Sequence, residues 1–171
     1  MGLKEKVMEA LHTGDEGRLE RLVAYGPRVG RHLLGRLWDP DESIRTQAAV
    51  GIGIVAAENP ELGTELLRRL MWALNDEAAT YGVYGVRAIG EIGNRVPTLV
   101  EPFVGPMASY AWDDSLRMEI LRSLIRIAEA APHLVDSHLE DLKTRVDHNS
   151  PEERELFGRL KDRLRGEDGK A

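Results

Sequence analysis

The chain has 171 residues, 42% hydrophobic and 30% charged, with a net charge of −6, a pI near 5.4 and no cysteine. A chain of this length buries about 70% of its unfolded surface as one domain; the composition excludes general disorder, and the lack of any apolar run near 18 residues excludes a membrane-spanning helix. Without cysteine there is no disulfide framework, thiolate metal centre or cysteine nucleophile, and the acidic balance opposes the phosphate attraction that nucleic-acid binding relies on.

At the N-terminus, Met1-Gly2-Leu3-Lys4-Glu5-Lys6 carries charges where a secretory signal needs its apolar stretch, and Lys6 stands where a myristoylation motif takes Ser or Thr. No export or anchoring signal is expected, and the cytoplasm is the expected compartment. Leu3–His12 and Glu16–Tyr25 predict two short helices around the break Thr13-Gly14-Asp15.

From there the chain repeats. Pro27, Pro60, Pro97 and Pro132, at separations of 33, 37 and 35 residues, each open a similar run: PRVGRHLLGRLW, PELGTELLRRLMWAL, PTLVEPFVGPMASYAW and PHLVDSHLEDLKTRV. Proline fits the first turn of a helix, where amide hydrogens have no intrahelical partner to lose. Each run meets an acidic or polar turn: Asp39-Pro40-Asp41-Glu42, Asn75-Asp76-Glu77, Asp113-Asp114 or Asp147-His148-Asn149-Ser150. Short polar side chains there cap the next helix, and Asp39 with Glu42 and Ser150 with Glu153 have capping-box spacing.

Second helices follow in a shared register. From Arg45, positions +3, +4, +7 and +10 are Ala48, Ala49, Ile52 and Val55; from Gly82 they are Gly85, Val86, Ile89 and Ile92; from Arg117 they are Ile120, Leu121, Leu124 and Ile127. This is helical periodicity three times over. The last unit keeps Leu156, Phe157 and Leu160 in register from Glu153 but has Arg163 at the end, the polar face a terminal unit needs. The expectation is one all-α domain, residues 1–171, of ten helices in five hairpins at about 3–26, 27–59, 60–96, 97–131 and 132–165, with a frayed tail at 166–171.

The segments DESIRTQAAVGIGIVA at 41–56, GVYGVRAIGEIG at 82–93 and DSLRMEILRSLIRIA at 114–128 resemble the HEAT family, particularly the short HEAT-like repeats of the phycobilisome-lyase type. The resemblance covers about residues 15–165 and implies an α-α superhelix, with the second helices lining its concave face. It also implies a ladder between acidic turn residues and basic residues early in the second helices, matched by Asp41 with Arg45 and Asp113 with Arg117; Gly82 departs where arginine is expected. Tetratricopeptide repeats have a compatible period, but their Trp-Leu-Gly-Tyr signature is absent.

Gly51-Ile52-Gly53-Ile54-Val55-Ala56 has the form of a dinucleotide fingerprint, yet IRTQAAV before it is already helical, whereas the fingerprint works only where a strand ends and a helix begins. Gly53 and Gly90 share a repeat position, which points to close helix packing. The histidines are His12, His32, His133, His138 and His148. His133 with Asp136 and His138 with Asp141 have i, i+3 spacing, but neither pair supplies enough ligands, and no metal or cofactor is expected. The resemblance brings in the deoxyhypusine hydroxylases, whose irons sit on His-Glu pairs that this chain lacks. No Gly-x-Ser-x-Gly elbow marks a nucleophile.

Trp38 and Trp112 directly precede acidic turns, where an indole can plug the gap between hairpins; Trp72 falls largely off the stripe Leu66, Leu67, Leu70 and Leu74, and packing against a neighbouring repeat is favoured over anchoring a partner. Positions +2, +5 and +9 of the second helices are Gln47, Val50 and Ile54, then Tyr84, Arg87 and Glu91, then Glu119, Arg122 and Arg126. The resemblance makes these nine the concave floor, and their tyrosine and arginine content suits a contact surface. The leading expectation is a non-catalytic scaffold binding another protein, with Tyr84, Arg87, Arg122 and Arg126 offered to an acidic or C-terminal segment. The alternatives are a chromophore-attachment factor like the phycobilin lyases, drawing on Tyr84, Glu91 and Glu119, and, more weakly, nucleic-acid binding. Oligomeric state is left open.

Overall fold

The computed structural model describes residues 1–75 and 82–168. Asp76 and Glu77 of the second acidic turn lie outside the described residues, as does the tail from 169 onward. Among the described residues there are eleven α-helices and no strand. They are α1 (Leu3–Thr13), α2 (Glu16–Leu22), α3 (Pro27–Arg36), α4 (Glu42–Glu58), α5 (Pro60–Leu74), α6 (Gly82–Arg95), α7 (Pro97–Ser109), α8 (Arg117–Ala130), α9 (His133–Asp136), α10 (Leu139–Arg145) and α11 (Pro151–Asp168). Short 3-10 turns continue α2 through Val23–Tyr25 and α7 through Tyr110–Trp112.

The helix starts follow the punctuation of the sequence. Asp15, Asp41 and Asn59 accept hydrogen bonds from the free amides of Arg18, Ser43 and Leu62. Pro27, Pro60 and Pro97 occupy the first turns of α3, α5 and α7.

Three local expectations change. The cap of α4 is Asp41, while Asp39 accepts from the Asp41 amide and pairs with Arg36, so the Asp39–Glu42 box is not formed. Ser150 does accept from the Glu153 amide, but the Glu153 carboxylate turns to the Asp147 amide and to Arg117, leaving half a box. The expected pairs Asp41–Arg45 and Asp113–Arg117 are not formed; Arg117 pairs instead with Asp114 at 2.6 Å and Glu153 at 3.2 Å, and both arginines clamp the main chain of their turns. Arg45 Nη1 donates to the carbonyls of Asp39 and Pro40, and Arg117 Nε and Nη2 donate to those of Ala111 and Trp112. A guanidinium satisfies two main-chain carbonyls of a tight turn where a carboxylate already committed to capping offers less.

The helices form two rows. Second helices pack in the order α4 on α6, α6 on α8 and α8 on α11, with α1 and α2 closing the other side of α4; α3 packs on α5, α5 on α7 and α7 on α9. The registered apolar positions Ala48, Ile52, Val86, Ile89, Ile120, Leu124 and Ile127 are fully buried between the rows. Eleven helices stand where ten are expected because the first helix of the last unit breaks at Ser137-His138. The break sets the His138 ring over Gly105, where a Cβ would approach it to 3.1 Å.

Glycine brings the second-row helices together. A Cβ on Gly53 would meet the Glu91 carbonyl oxygen at 2.9 Å, and one on Gly90 would meet Ser123 Oγ at 2.8 Å. The shared repeat position is thus a close helix approach, in the middle of α4 and α6 rather than at a strand–helix junction.

Candidate functional site

The polar face of α6 and α8 carries a connected ladder of charges. Arg87 on α6 grips Glu119 on α8 with two parallel hydrogen bonds, Nε to Oε1 at 2.8 Å and Nη2 to Oε2 at 3.2 Å, and reaches back to Thr46 Oγ1 on α4 at 3.2 Å. Glu119 is only 4% exposed and takes a further bond from Arg122 at 3.2 Å. The hydrogen bonds that Arg87 donates to Glu119 raise its pKa above the ordinary arginine value despite opposing desolvation, so the guanidinium stays charged. One helical turn on, Arg126 bridges Glu91 at 3.1 Å and Glu129 at 2.9 Å.

Tyr84 lies between Arg45 and Arg87, whose guanidinium carbons stand 4.7 and 4.9 Å from the ring centroid, and its hydroxyl donates to Glu42. Among the described residues, the buried Arg45 Nε has no hydrogen-bond partner.

The structure brings Tyr84, Arg87, Glu91, Glu119, Arg122 and Arg126 together. It does not bring the three α4 residues to the same place. Ile54 is 1% exposed and belongs to the core, which corrects its assignment to the floor. The reason is that α4 is flanked by α1 and α2 on one side and α6 on the other, so Gly51–Ala56 are buried all round. Val50 is half-buried against the core, and Gln47 lies beside Gly14 in the N-terminal hairpin. A second correction concerns the charges: Arg87 and Arg126 are not free to receive a carboxylate, because Glu119, Glu91 and Glu129 already engage them.

Between α8 and α11 the ladder opens into a cleft of about 250 Å³. Arg87, Arg122, Arg126 and Arg159 line it against Glu91, Glu119 and Glu129, four positive groups to three negative, with Ile125 at its wall. Arg122 is exposed and uses a single bond, and Arg159 makes no ion pair among the described residues. Arg159 escaped the sequence reading because it belongs to the terminal unit, outside the register of the other second helices. Thr46 and Glu129 had no signal but adjacency to register positions.

Trp38, Trp72 and Trp112 are 55%, 67% and 63% exposed, so Trp38 and Trp112 do not plug the gaps between hairpins. Among the described residues no three His, Asp or Glu side chains gather to hold a metal ion, and no helix is long and apolar enough to cross a membrane. No protein-family model, curated protein or solved structure matches the chain.

Proposed function

We propose that the chain is a cytoplasmic HEAT-type α-α superhelix of five hairpins that works as a non-catalytic scaffold, holding another protein on the face of α6, α8 and α11. The observation that supports this most directly is the pinning of Arg87 and Arg126 by Glu119 and Glu91, with the exposed Arg122 and Arg159 in the cleft lining retaining most of their donors. The pinned pairs fix the walls of the cleft, and the planar forks of Arg122 and Arg159 match a carboxylate through two hydrogen bonds. The cleft therefore suits an acidic or C-terminal segment of a partner protein. The chromophore-attachment alternative is less well served, because Tyr84, Glu91 and Glu119, its acid–base supply, are each engaged within the fold.

The test is affinity capture from the native cell with wild type and the double variant Arg122→Glu/Arg159→Glu, after circular dichroism has shown both to be folded. Loss of the partner by the variant, steeper at low salt where screening is weak, is the expected result. A folded double variant that keeps its partner in full removes this face as the binding site.

A further inference from the structure

The charges of α6, α8 and α11 fall into two rungs one helical turn apart. Arg87 and Glu91 on α6, Arg122 and Arg126 on α8, and Arg159 and Arg163 on α11 are each four residues apart, so each pair stands on one face of its helix with Cβ atoms about 5–6 Å apart. Because α6 packs on α8 and α8 on α11, the three pairs succeed one another across the second row. One rung is balanced. Arg126 lies between Glu91 at 3.1 Å and Glu129 at 2.9 Å, and Arg163 stands 3.7 Å from Glu129, so two arginines meet two carboxylates.

The other rung is not. Arg87 and Arg122 share the single carboxylate of Glu119, both reaching its Oε2 at 3.2 Å, and Arg159 makes no ion pair among the described residues. Three arginines thus meet one carboxylate, which leaves a surplus of two positive charges, since guanidinium does not deprotonate in proteins. Arg87, Arg122 and Arg159 all line the cleft of about 250 Å³. Its wall at Ile125 is shared with a hollow of about 260 Å³ that continues past Arg159 to Asp162, Arg163 and Gly166. Asp162, the remaining acid of this region, lines the hollow and not the cleft.

A carboxylate from outside carries one charge and offsets half of this surplus. A phosphate monoester carries about −1.5 to −2 near neutral pH and brings three strong acceptor oxygens, enough for two guanidinium forks together. Arg122 spends one hydrogen bond, on Glu119, and Arg159 forms no ion pair, so both forks keep donors for such a group. We propose that the cleft takes a phosphoserine or phosphothreonine side chain of a partner protein, held between Arg122 and Arg159. This rests on the cleft being the binding face and names the group that it recognises. The hollow favours a protein source over a free anion. From Arg159 to Gly166 the wall of α11 runs seven residues, about 10 Å, which is the length of about three residues of extended chain beside the phosphoryl group.

The probes are three fluorescein-labelled, C-terminally amidated peptides, Gly-Ala-Xaa-Ala-Gly with phosphoserine, glutamate or serine at the centre, titrated into the full chain at low ionic strength and followed by anisotropy. The phosphoserine peptide is expected to bind about tenfold more tightly than the glutamate peptide, and the serine peptide not to bind. Arg122→Gln and Arg159→Gln, both at exposed positions, are each expected to weaken phosphopeptide binding about tenfold, while Arg31→Gln on α3 leaves it unchanged. Comparing the peptides on wild type asks no variant to fold. Absence of wild-type binding, equal binding of the glutamate peptide, or a folded Arg122→Gln/Arg159→Gln variant that binds as well as wild type overturns the proposal. So does inorganic phosphate that competes as strongly as the phosphopeptide, which makes the cleft a site for the free anion. The cleft itself is read separately: a partner that Arg122→Glu/Arg159→Glu loses, but that wild type still holds after phosphatase treatment, keeps the cleft as the binding face and removes the phosphoryl group.

Discussion

Gly53 and Gly158 show opposite uses of one residue type. A side chain at Gly53 drives into the Glu91 carbonyl of the neighbouring helix, whereas nothing lies within 4 Å of a Cβ at Gly158 in α11. Gly53→Leu should therefore destabilise by about 1–3 kcal/mol through overpacking, while Gly158→Ala should stabilise by up to about 1 kcal/mol through helix propensity and reduced unfolded-chain freedom. Thermal melts of the two variants should move in opposite directions; a Gly53→Leu protein melting at the wild-type temperature removes the close-approach argument. Arg87 and Arg122 form a similar contrast. Truncating Arg87 strips two hydrogen bonds from a carboxylate that is 4% exposed, and Arg87→Ala should cost about 1–3 kcal/mol, reduced from a fully buried pair because Arg122 still serves Glu119. Arg122→Ala should stay within about 1 kcal/mol, as exposed ion pairs do. Urea unfolding of both variants decides whether Arg87 is a structural strut or a surface charge.

The turn clamp governs how helices are joined. Arg45 and Arg117 occupy the same place relative to Asp41-Glu42-Ser43 and Asp113-Asp114-Ser115, where each aspartate accepts from the serine amide two residues on. Arg117 additionally reaches Glu153, tying the turn before α8 to the start of α11. Lysine keeps the charge but loses the fork that serves several acceptors at once. Arg117→Lys should cost about 2–4 kcal/mol, since it leaves buried carbonyls and Glu153 under-bonded. Amide hydrogen exchange should then accelerate around residues 111–117 and 147–153 before it does in α4 or α6; uniform acceleration across all helices counts against a local clamp. The broken helix α9–α10 belongs to this scale too. The spacing of PHLVDSHLEDLKTRV predicts one helix, whereas the structure breaks it at Ser137-His138, with the His138 ring against Gly105 of α7.

For the whole molecule, the second row depends on its last member. Leu156, Phe157, Leu160 and Leu164 of α11 cover α8, and at about 1.5–3 kcal/mol for each buried side chain their upper-limit contribution is comparable to the whole stability of a small domain. Deleting residues 151–171 should therefore give a protein that binds a hydrophobic dye and melts without a cooperative transition, rather than a shortened native stack. A sharp melt in the truncated chain, with helix content reduced only in proportion, makes the hairpins independently stable and removes this dependence.

The sequence by itself determined the helical class, the proline-opened starts, the polar turns and the apolar stripes of the second helices, because each of these depends on residues within a turn or two of one another. It also set Tyr84, Arg87 and Glu91 off the apolar stripe of α6 and Glu119, Arg122 and Arg126 off that of α8, since helical periodicity sorts the residues of one helix by side. Tertiary structure decided what those residues do with their charges. Glu119 and Glu91 pair with Arg87 and Arg126 across 32 and 35 positions of chain, a matching that depends on how far neighbouring helices slide past each other. It decided Ile54 as well, because a helix flanked on both sides buries more than its stripe. The exposure of the three tryptophans was settled the same way: whether an indole fills a gap or faces water depends on the width of the gap, and that width is fixed by the side chains of two other helices.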